Sequence, residues 1–334
     1  MRAAENDLSN PILVEVTRAA LVESVHRGSI AIADADGAIR YALGDIETPV
    51  YTRSSLKPIQ ALVLVESGAA DAFGLGDEEV ALACASHSGE SMHTERVAAW
   101  LTRIGCGEQD LACGPQAPRY QPASDEMIRR GDKPTRIQNN CSGKHTGFLT
   151  VARHWKAPVE GYVRVDHPVQ LAVATSLRML SGIEELPWGV DGCVAPNFAL
   201  PLAGFARALA KLAGGKTPGA ERILRSMIAH PDLVAGTGRA CTLLMRAAAG
   251  RAAVKVGAEG VYAGMIPERG LGIALKIDDG AGRASETVIA AILDKLGVLD
   301  GRAREFLSAP VRNTVGETVG ERRPAPDLAA AEIR

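Results

Sequence analysis

The sequence predicts a mixed α/β fold of the α+β type. One central antiparallel sheet would be built from strands at both ends of the chain, with helices packed on it and a mostly helical second lobe. Two observations support this fold. Short strand-like segments with tight turns fill the first fifty residues and recur after residue 250, and the stretch between them has the apolar periodicity of helices. We therefore expect one folded unit over residues 1–334, with a sheet lobe (1–60 plus 250–300), a helical lobe (61–249) and a tail (312–334).

Strands are predicted where short apolar runs lie between turn residues. The Asp36-Gly37 pair between two such runs is a strong hairpin signal. Turns this short join antiparallel neighbours. The predicted strands cover residues 12–16, 28–33, 38–43, 254–256, 261–266 and 271–277.

Helices are predicted where apolar residues recur every three to four positions. Val97, Trp100, Leu101 and Ile104 show this spacing, and Gly105 ends their helix. The tail after residue 312 is polar, so we expect it to be loosely ordered. The other predicted helices cover residues 54–66, 77–84, 168–180, 199–212, 218–228, 239–248 and 285–296.

Composition narrows the function classes. The 37 basic and 39 acidic residues nearly balance, and aromatic residues make up only 4%, so neither a nucleic-acid surface nor an acidic membrane is expected as a partner. No apolar run is long enough for a membrane span, and residues 1–10 are too polar for a secretory signal. Six cysteines in 334 residues are too few for a disulfide framework. We expect a cytoplasmic enzyme with reduced thiols.

The first candidate for chemistry is the Ser54/Lys57 pair. The segment before it resembles the end of a strand, and Pro58 suits the first turn of a helix. Lys57 would then lie one turn from Ser54, on the same face. A neutral lysine can accept the proton of a serine hydroxyl and so activate it as a nucleophile. The alternative interpretation is a helix-capping serine beside a solvated lysine.

Two further segments are candidates for the same site. Ser86 lies in a small polar segment, 85–90, between two predicted helices, which is typical both of a binding surface and of helix capping. Lys255 interrupts an apolar strand and points away from Val254 and Val256. It lies either on an exposed face or in a cleft as a second cation near the serines.

Reactive side chains also cluster near residue 141. Cys141, Lys144 and His145 stand at positions i, i+3 and i+4, which is one face of a helix. Asp191 and Cys193 form a second cluster farther along the chain. Two thiols, an imidazole and a carboxylate can hold zinc. Their spacing matches no common zinc signature, so from the residues alone the metal site stays open.

Five motifs in order carry a family resemblance: RSSLKP at 53–58, CASHSGE at 84–90, NCSGKH at 140–145, DGC at 191–193 and KVGAEG at 255–260. With them the chain, from about residue 10 to about residue 300, resembles the class 3 L-asparaginases first described from rhizobia, the "asparaginase II" type. The resemblance implies a fold similar to that of serine β-lactamases and glutaminases.

The resemblance also implies roles for individual residues. It implies two serine–lysine pairs, Ser54 with Lys57 and Ser86 with Lys255. It further implies a homodimer, for which the apolar N-terminal strand would offer a free edge.

A zinc site is implied as well, with Cys141, Lys144 and Cys193 as its ligands. Two thiolates favour zinc over magnesium or calcium. The metal would orient the α-amino or α-carboxylate group of the substrate. The residues expected to contact the substrate are Arg53, as a carboxylate clamp, and Asn140, His145 and Asp191.

The expected reaction is hydrolysis of the side-chain amide of L-asparagine to L-aspartate and ammonia. Ser54 would attack, Lys57 would accept its proton, and Ser86 with Lys255 would relay protons. No organic cofactor is expected. A glutaminase remains an alternative, since one methylene is a modest basis for selectivity. So do another serine–lysine amidase, a zinc hydrolase using metal-bound water, and a non-catalytic binding module. The absence of Lys-Thr-Gly and Ser-Asp-Asn motifs argues against a β-lactamase or peptidase.

One position departs from the expected pattern. Asn197 follows the DGC motif where an apolar residue is expected.

Overall fold

The computed structural model describes residues 10–333. The prediction that residues 1–10 form no secretory signal therefore falls almost wholly outside the described residues. Within the described residues the chain forms eleven strands. They are β1 (Ile12–Arg18), β2 (Leu21–Ala33), β3 (Ile39–Leu43), β4 (Pro49–Tyr51), β5 (Trp188–Val190), β6 (Pro196–Pro201), β7 (Ala253–Val256), β8 (Val261–Ile266), β9 (Leu271–Ile277), β10 (Ala309–Arg312) and β11 (Thr318–Pro324).

Helices fill most of the chain between β4 and β7. None of those in residues 10–333 is long and apolar enough to cross a lipid bilayer. They are α1 (Lys57–Glu66), α2 (Ala69–Ala72), α3 (Asp77–Ala83), α4 (Ser91–Arg103), α5 (Gln121–Arg130), α6 (Ser142–His154), α7 (Pro168–Ser181), α8 (Leu202–Ala213), α9 (Pro218–Ala229), α10 (Pro231–Val234), α11 (Ala240–Ala247), α12 (Gly282–Lys295), α13 (Arg304–Leu307) and α14 (Pro326–Ala330).

The central sheet combines strands from both ends of the chain, as predicted. Its strand order is β10-β11-β1-β2-β9-β8-β7, with β3 also paired to β2, and the pairings are antiparallel. The long strand β2 makes this possible: its first half pairs with β1, and its second half lies between β3 and β9. The predicted mixed α/β fold with an antiparallel sheet and many helices is confirmed.

Helices cover both faces of this sheet. A Cβ at Gly272 of β9 would lie 2.1 Å from the backbone of α8, so only glycine lets α8 approach this closely. A Cβ at Gly264 of β8 would instead lie 3.2 Å from Ile289 of α12 and beside Ile273. Because Gly272 and Ile273 are successive strand residues, they face opposite sides, and α8 and α12 therefore pack on opposite faces.

The expectation of a loosely ordered tail is wrong. Strand β11 pairs with β1, through Val14 with Pro324 and Val16 with Arg322, and β10 continues the sheet beyond it. Leu328 of α14 is fully buried. The tail is polar because it forms the outer part of the sheet. Since β1 is paired on both sides, it offers no free edge for a dimer, and that part of the dimer expectation is wrong too.

The predicted helix over residues 199–212 is also corrected. Residues 199–201 belong to β6, which lies between β4 and β5 in a small second sheet, and the helix α8 starts only at Leu202. Likewise, the predicted helix over 54–66 begins as a 3₁₀ turn, Arg53–Leu56, before α1 starts at Lys57. Proline at 58 stands in the first turn of α1, as expected.

Candidate active site

A cavity of about 530 Å³ brings most of the predicted residues together. Its wall comes from the 3₁₀ turn before α1, the loop after α3, the start of α6, the loop before β6 and the segment after β7. The sequence-predicted residues on this wall are Arg53, Ser54, Ser86, Asn140, Cys141, Asp191 and Cys193.

The strand β6 fixes the backbone that leads into Ser54. The Thr52 N–H and hydroxyl both donate to the Phe198 carbonyl, at 3.1 and 3.0 Å. Arg53 adopts a positive φ of 50°, which is unusual for a residue with a side chain, and its N–H donates to Asn197 Oδ1 at 3.0 Å. Ser54 is half-buried on the cavity wall. A strained, hydrogen-bonded backbone of this kind is common at functional sites.

The second serine lies between two lysine amines. Ser86 Oγ is 3.0 Å from Lys57 Nζ and 2.8 Å from Lys255 Nζ. Lys57 also donates to the Ala85 carbonyl at 2.5 Å, and Lys255 to the Val256 carbonyl at 2.7 Å. The side chains of both lysines are almost completely buried, at 1% and 0% exposure. Lys255 therefore lies inside the site and not on an exposed strand face.

Both amines are shifted toward the neutral form. Burial is the main cause for each, because a charged ammonium loses its hydration in the interior. It lowers the pKa of Lys57, and with the charge of Lys57 it lowers the pKa of Lys255 to about 7. A lysine that is neutral near pH 7 is able to accept a proton.

The structure does not join Ser54 to Lys57 directly. Within residues 10–333 the Ser54 hydroxyl makes no hydrogen bond, whereas Lys57 Nζ is bonded to Ser86, Ala85 and Cys141. Both serines line the cavity, but Ser54 is half-buried whereas Ser86 is only 4% exposed, so Ser54 is the more accessible of the two. Catalytic hydrogen bonds of this kind often form only when substrate is bound.

The three predicted metal ligands lie next to these lysines. Lys144 Nζ is 2.9 Å from Cys193 Sγ, and Lys57 Nζ is 3.1 Å from Cys141 Sγ. The hydrogen bond with Cys193, together with burial, raises the pKa of Cys141 to about 12, and the same bond lowers the pKa of Cys193 to about 5. Burial opposes the charge of Lys144, but the charges of Cys193 and Cys141 outweigh it and raise the pKa of the amine.

The chemistry of this donor set is compatible with zinc. Thiolates are ligands that zinc prefers, and a neutral amine can complete the set if the metal displaces its proton. No group of three or more His, Cys, Asp or Glu side chains in the described chain is arranged to hold a metal. A zinc site at Cys141 and Cys193 therefore depends on Lys144 as the third ligand.

The residues predicted to contact the substrate differ in their access to the cavity. Arg53 Nε donates to Asp191 Oδ1 at 3.0 Å, so the expected carboxylate clamp already holds a carboxylate of the protein. Asn140 is on the cavity wall and accepts from the Cys141 thiol at 2.9 Å. His145 is fully buried behind the wall, hydrogen-bonded through Nδ1 to Tyr162 at 2.7 Å, and is not among the lining residues.

Sequence reasoning missed several residues on the cavity wall. Arg119, Arg239, Gln116 and Glu286 all line it. They come from a loop without secondary structure, from the residue before α11 and from α12. No spacing or composition signal marks an isolated arginine in such positions, so only the fold identifies them.

Comparisons with known proteins were made at the level of structure and of sequence. Several solved structures are similar. A putative β-lactamase from Bacteroides dorei has 16% identity over 75% of this chain and 84% of that chain, with a TM-score of 0.42. A protein described as Mglu has 15% identity over 87% and 70%, with a TM-score of 0.46. An octameric penicillin-binding protein homologue from Pyrococcus abyssi has 14% identity over 80% and 73%, with a TM-score of 0.43.

Among curated proteins, no sequence matches this chain. The sequence profile described as L-asparaginase II, in contrast, matches residues 14–324, which is nearly the whole chain. This match confirms the resemblance to the asparaginase II type. The chain belongs to the L-asparaginase II family, and it is an amidohydrolase of the L-asparaginase kind.

Proposed function

We propose that this protein hydrolyses the side-chain amide of L-asparagine to L-aspartate and ammonia through a serine–lysine mechanism. The observation that supports the proposal best is the Ser86 hydroxyl held between Lys57 and Lys255, at 3.0 and 2.8 Å. Both amines are buried beside a cavity that Ser54 also lines. The two amines can accept and release a proton at the same cavity that holds the accessible Ser54 hydroxyl. Amide hydrolysis by a serine requires such a base.

In the first half of the reaction, Ser54 Oγ attacks the amide carbon and its proton passes to the neutral amine of Lys57. The carbon–nitrogen bond then breaks, and that proton leaves with ammonia. The product is a β-aspartyl ester on Ser54. Ser86 contacts both amines, so it can carry a proton between Lys57 and Lys255.

In the second half, water attacks the ester carbon and gives up a proton to the same amines. The ester bond breaks, the proton returns to Ser54 Oγ, and L-aspartate leaves. Two ammonium groups sharing one hydroxyl would repel each other, so at most one amine is charged at a time.

Zinc is part of the proposal as an aid to binding. Cys141, Cys193 and Lys144 would hold it, and when bound it supplies positive charge that orients the α-amino or α-carboxylate group of the substrate. The nucleophile comes from the serines, because a site with two thiolates is electron-rich and a weak Lewis acid.

The test is ammonia release from L-asparagine and L-glutamine by the wild type, Ser54→Ala and Ser86→Ala. Loss of a covalent nucleophile should lower kcat by at least about 10³-fold. We expect Ser54→Ala to show this loss. We expect the wild type to release more ammonia from L-asparagine than from L-glutamine. Ser91→Ala is the matched control, because Ser91 is exposed and lies outside the cavity.

Other outcomes identify the alternatives. A near-normal rate in Ser54→Ala together with an inactive Ser86→Ala would make Ser86 the nucleophile. A rate that survives in both variants but disappears with a chelator would indicate a zinc-water hydrolase. Preferred release from L-glutamine would indicate a glutaminase, and no release from either amide would contradict the amidase proposal.

A further inference from the structure

Two arginines on the cavity wall have no side-chain partner in the described part of the chain. Neither Arg119 nor Arg239 forms a side-chain hydrogen bond, or an ion pair within 4.0 Å, with any residue between 10 and 333. Arg53, which lines the same cavity, in contrast pairs with Asp191. Two cationic side chains that line one cavity and have no ion-pair partner within 4.0 Å are available to bind an anion from outside the chain.

The backbones of both arginines are fixed by the segment that carries Ser86. The Ser88 carbonyl accepts from the N–H of Arg119 at 2.8 Å. On the other side, Ser88 Oγ donates to the Ala235 carbonyl at 2.9 Å, and Glu90 accepts from the N–H and hydroxyl of Thr237, at 2.9 and 2.6 Å. The loop that ends at Arg239 is thereby held as well. One rigid segment thus sets both arginines relative to the Ser86 hydroxyl.

The two guanidinium groups act on each other. Arg119 is solvent-exposed at the cavity mouth by its accessible surface, yet loss of hydration and the like charge of Arg239 together lower the pKa of its guanidinium. Glu286 also lines the cavity, and the charge of Arg239 acts on its carboxyl, but burial outweighs this and raises the pKa of Glu286, and the two side chains form no ion pair within 4.0 Å. A bound anion would relieve the repulsion between the arginines.

L-Asparagine brings one anionic group to the site, its α-carboxylate. Arg53, the clamp expected from the sequence, is already paired with Asp191 at 3.0 Å, whereas Arg119 and Arg239 have no such partner among residues 10–333. Arginine binds carboxylates through paired N–H donors, which gives both affinity and orientation. The two arginines and the α-carboxylate of the substrate therefore match in charge and in chemistry.

We propose that Arg119 and Arg239 form the binding site for the α-carboxylate of the substrate, and that Arg53 does not. This inference rests on the proposed amidase function.

The test compares L-asparagine with 3-aminopropanamide, which is the same molecule without its α-carboxylate. A charge-assisted hydrogen bond to a buried carboxylate is worth about tenfold to hundredfold in kcat/KM. We expect Arg239→Met and Arg119→Met each to lose this factor on L-asparagine, mostly through KM, and to change by less than about threefold on 3-aminopropanamide. Arg239→Lys should keep part of the activity, since it keeps the charge.

The exposed Arg129, outside the cavity, supplies the matched control Arg129→Met, which should leave both substrates unaffected. Equal losses on both substrates, or none on L-asparagine, would overturn the proposal. Thermal unfolding of each variant shows whether a loss of activity comes from a folding defect. If Arg239→Met does not fold, Arg239→Lys takes its place in the comparison.

Calorimetric titration of Ser54→Ala with L-asparagine, whose one carboxylate is the α-carboxylate, tests the same contact without catalysis. Binding that is lost when Arg239→Met is added would support the carboxylate site even if the wild type released no ammonia. In that case the carboxylate site would stand, and only the proposed amidase function would be contradicted. Binding that is unchanged by Arg239→Met would refute the carboxylate site whatever the activity.

Discussion

The side chain of Asn197 holds the backbone of Arg53: Asn197 Oδ1 accepts the Arg53 N–H at 3.0 Å. Arg53 is in a left-handed conformation, with φ of 50°, and it directly precedes Ser54. An apolar residue at 197 would leave this N–H without a partner. The one position that departed from the expected family pattern therefore supports the strained backbone beside the proposed nucleophile.

Replacing Asn197 with alanine should affect both stability and catalysis. An unsatisfied backbone donor costs about 1–3 kcal/mol, and the strained φ of Arg53 would lose its restraint. We expect Asn197→Ala to lower the free energy of unfolding by about 1–2 kcal/mol and to lower kcat, because Ser54 is no longer held in place. Urea unfolding and steady-state kinetics measure the two effects.

The control for this prediction is Thr52→Val. It removes the Thr52 hydroxyl that donates to Phe198, but the N–H of the same residue still donates to that carbonyl. It should therefore change kcat less than Asn197→Ala does. If the two variants lose kcat equally, the Asn197 bond has no special role in positioning Ser54.

The pH dependence of activity should report the buried lysine pair. The pKa of Lys255 is lowered to about 7, mainly by burial, and only the neutral amine accepts a proton. The neutral fraction grows as pH rises through that pKa, so kcat/KM should increase from about pH 6 to pH 8 and then level off. Lys255→Met should lose this rise, because the titrating group is gone.

Lys276→Met is the matched control for the pH profile. Lys276 is a half-buried strand lysine outside the cavity. Its replacement should leave the rise between pH 6 and 8 in place. An unchanged profile in Lys255→Met, or a rate maximum near pH 5 in the wild type, would contradict a lysine base.

The cysteines allow a direct test of the zinc proposal. Cys141→Ser and Cys193→Ser should each abolish bound zinc in protein purified without chelator and supplied with the metal. They should raise KM more than they lower kcat, because zinc is proposed to orient the substrate and not to attack it. Elemental analysis and kinetics measure this, with Cys106→Ser as a control, since Cys106 is a free thiol outside the site. Zinc-free wild type would refute the metal site and leave the serine–lysine proposal standing.

The sequence predicts the components of the site better than their contacts. Ser86, Lys57 and Lys255 could each be identified from a motif, yet they meet only because α1, the loop after α3 and β7 converge. Lys255 and Ser86 are 169 positions apart. The Ser54/Lys57 pair is local and was the easiest to predict, but in the structure Lys57 is bonded to Ser86.

The errors in the fold have the same origin. The tail looks unstructured because its residues alternate only weakly between polar and apolar, whereas its strands are stabilised by pairing with β1. Similarly, residues 199–201 continue an apolar pattern into α8, and only the pairing with β4 and β5 makes them a strand. Strand pairing over long distances in the chain leaves no local signal.

The ordered tail leads to a prediction for Gly320 of β11. A Cβ there would lie 1.9 Å from the Thr17 carbonyl oxygen of β1, and backbone cannot move aside without breaking the sheet. Gly320→Ala should therefore lower the free energy of unfolding by roughly 2 kcal/mol or more, as measured by urea denaturation. Gly301→Ala is the control, since no atom lies within 4 Å of its added Cβ. If both variants were equally stable, β11 would not be packed on β1, and the tail would be loosely ordered as its composition suggests.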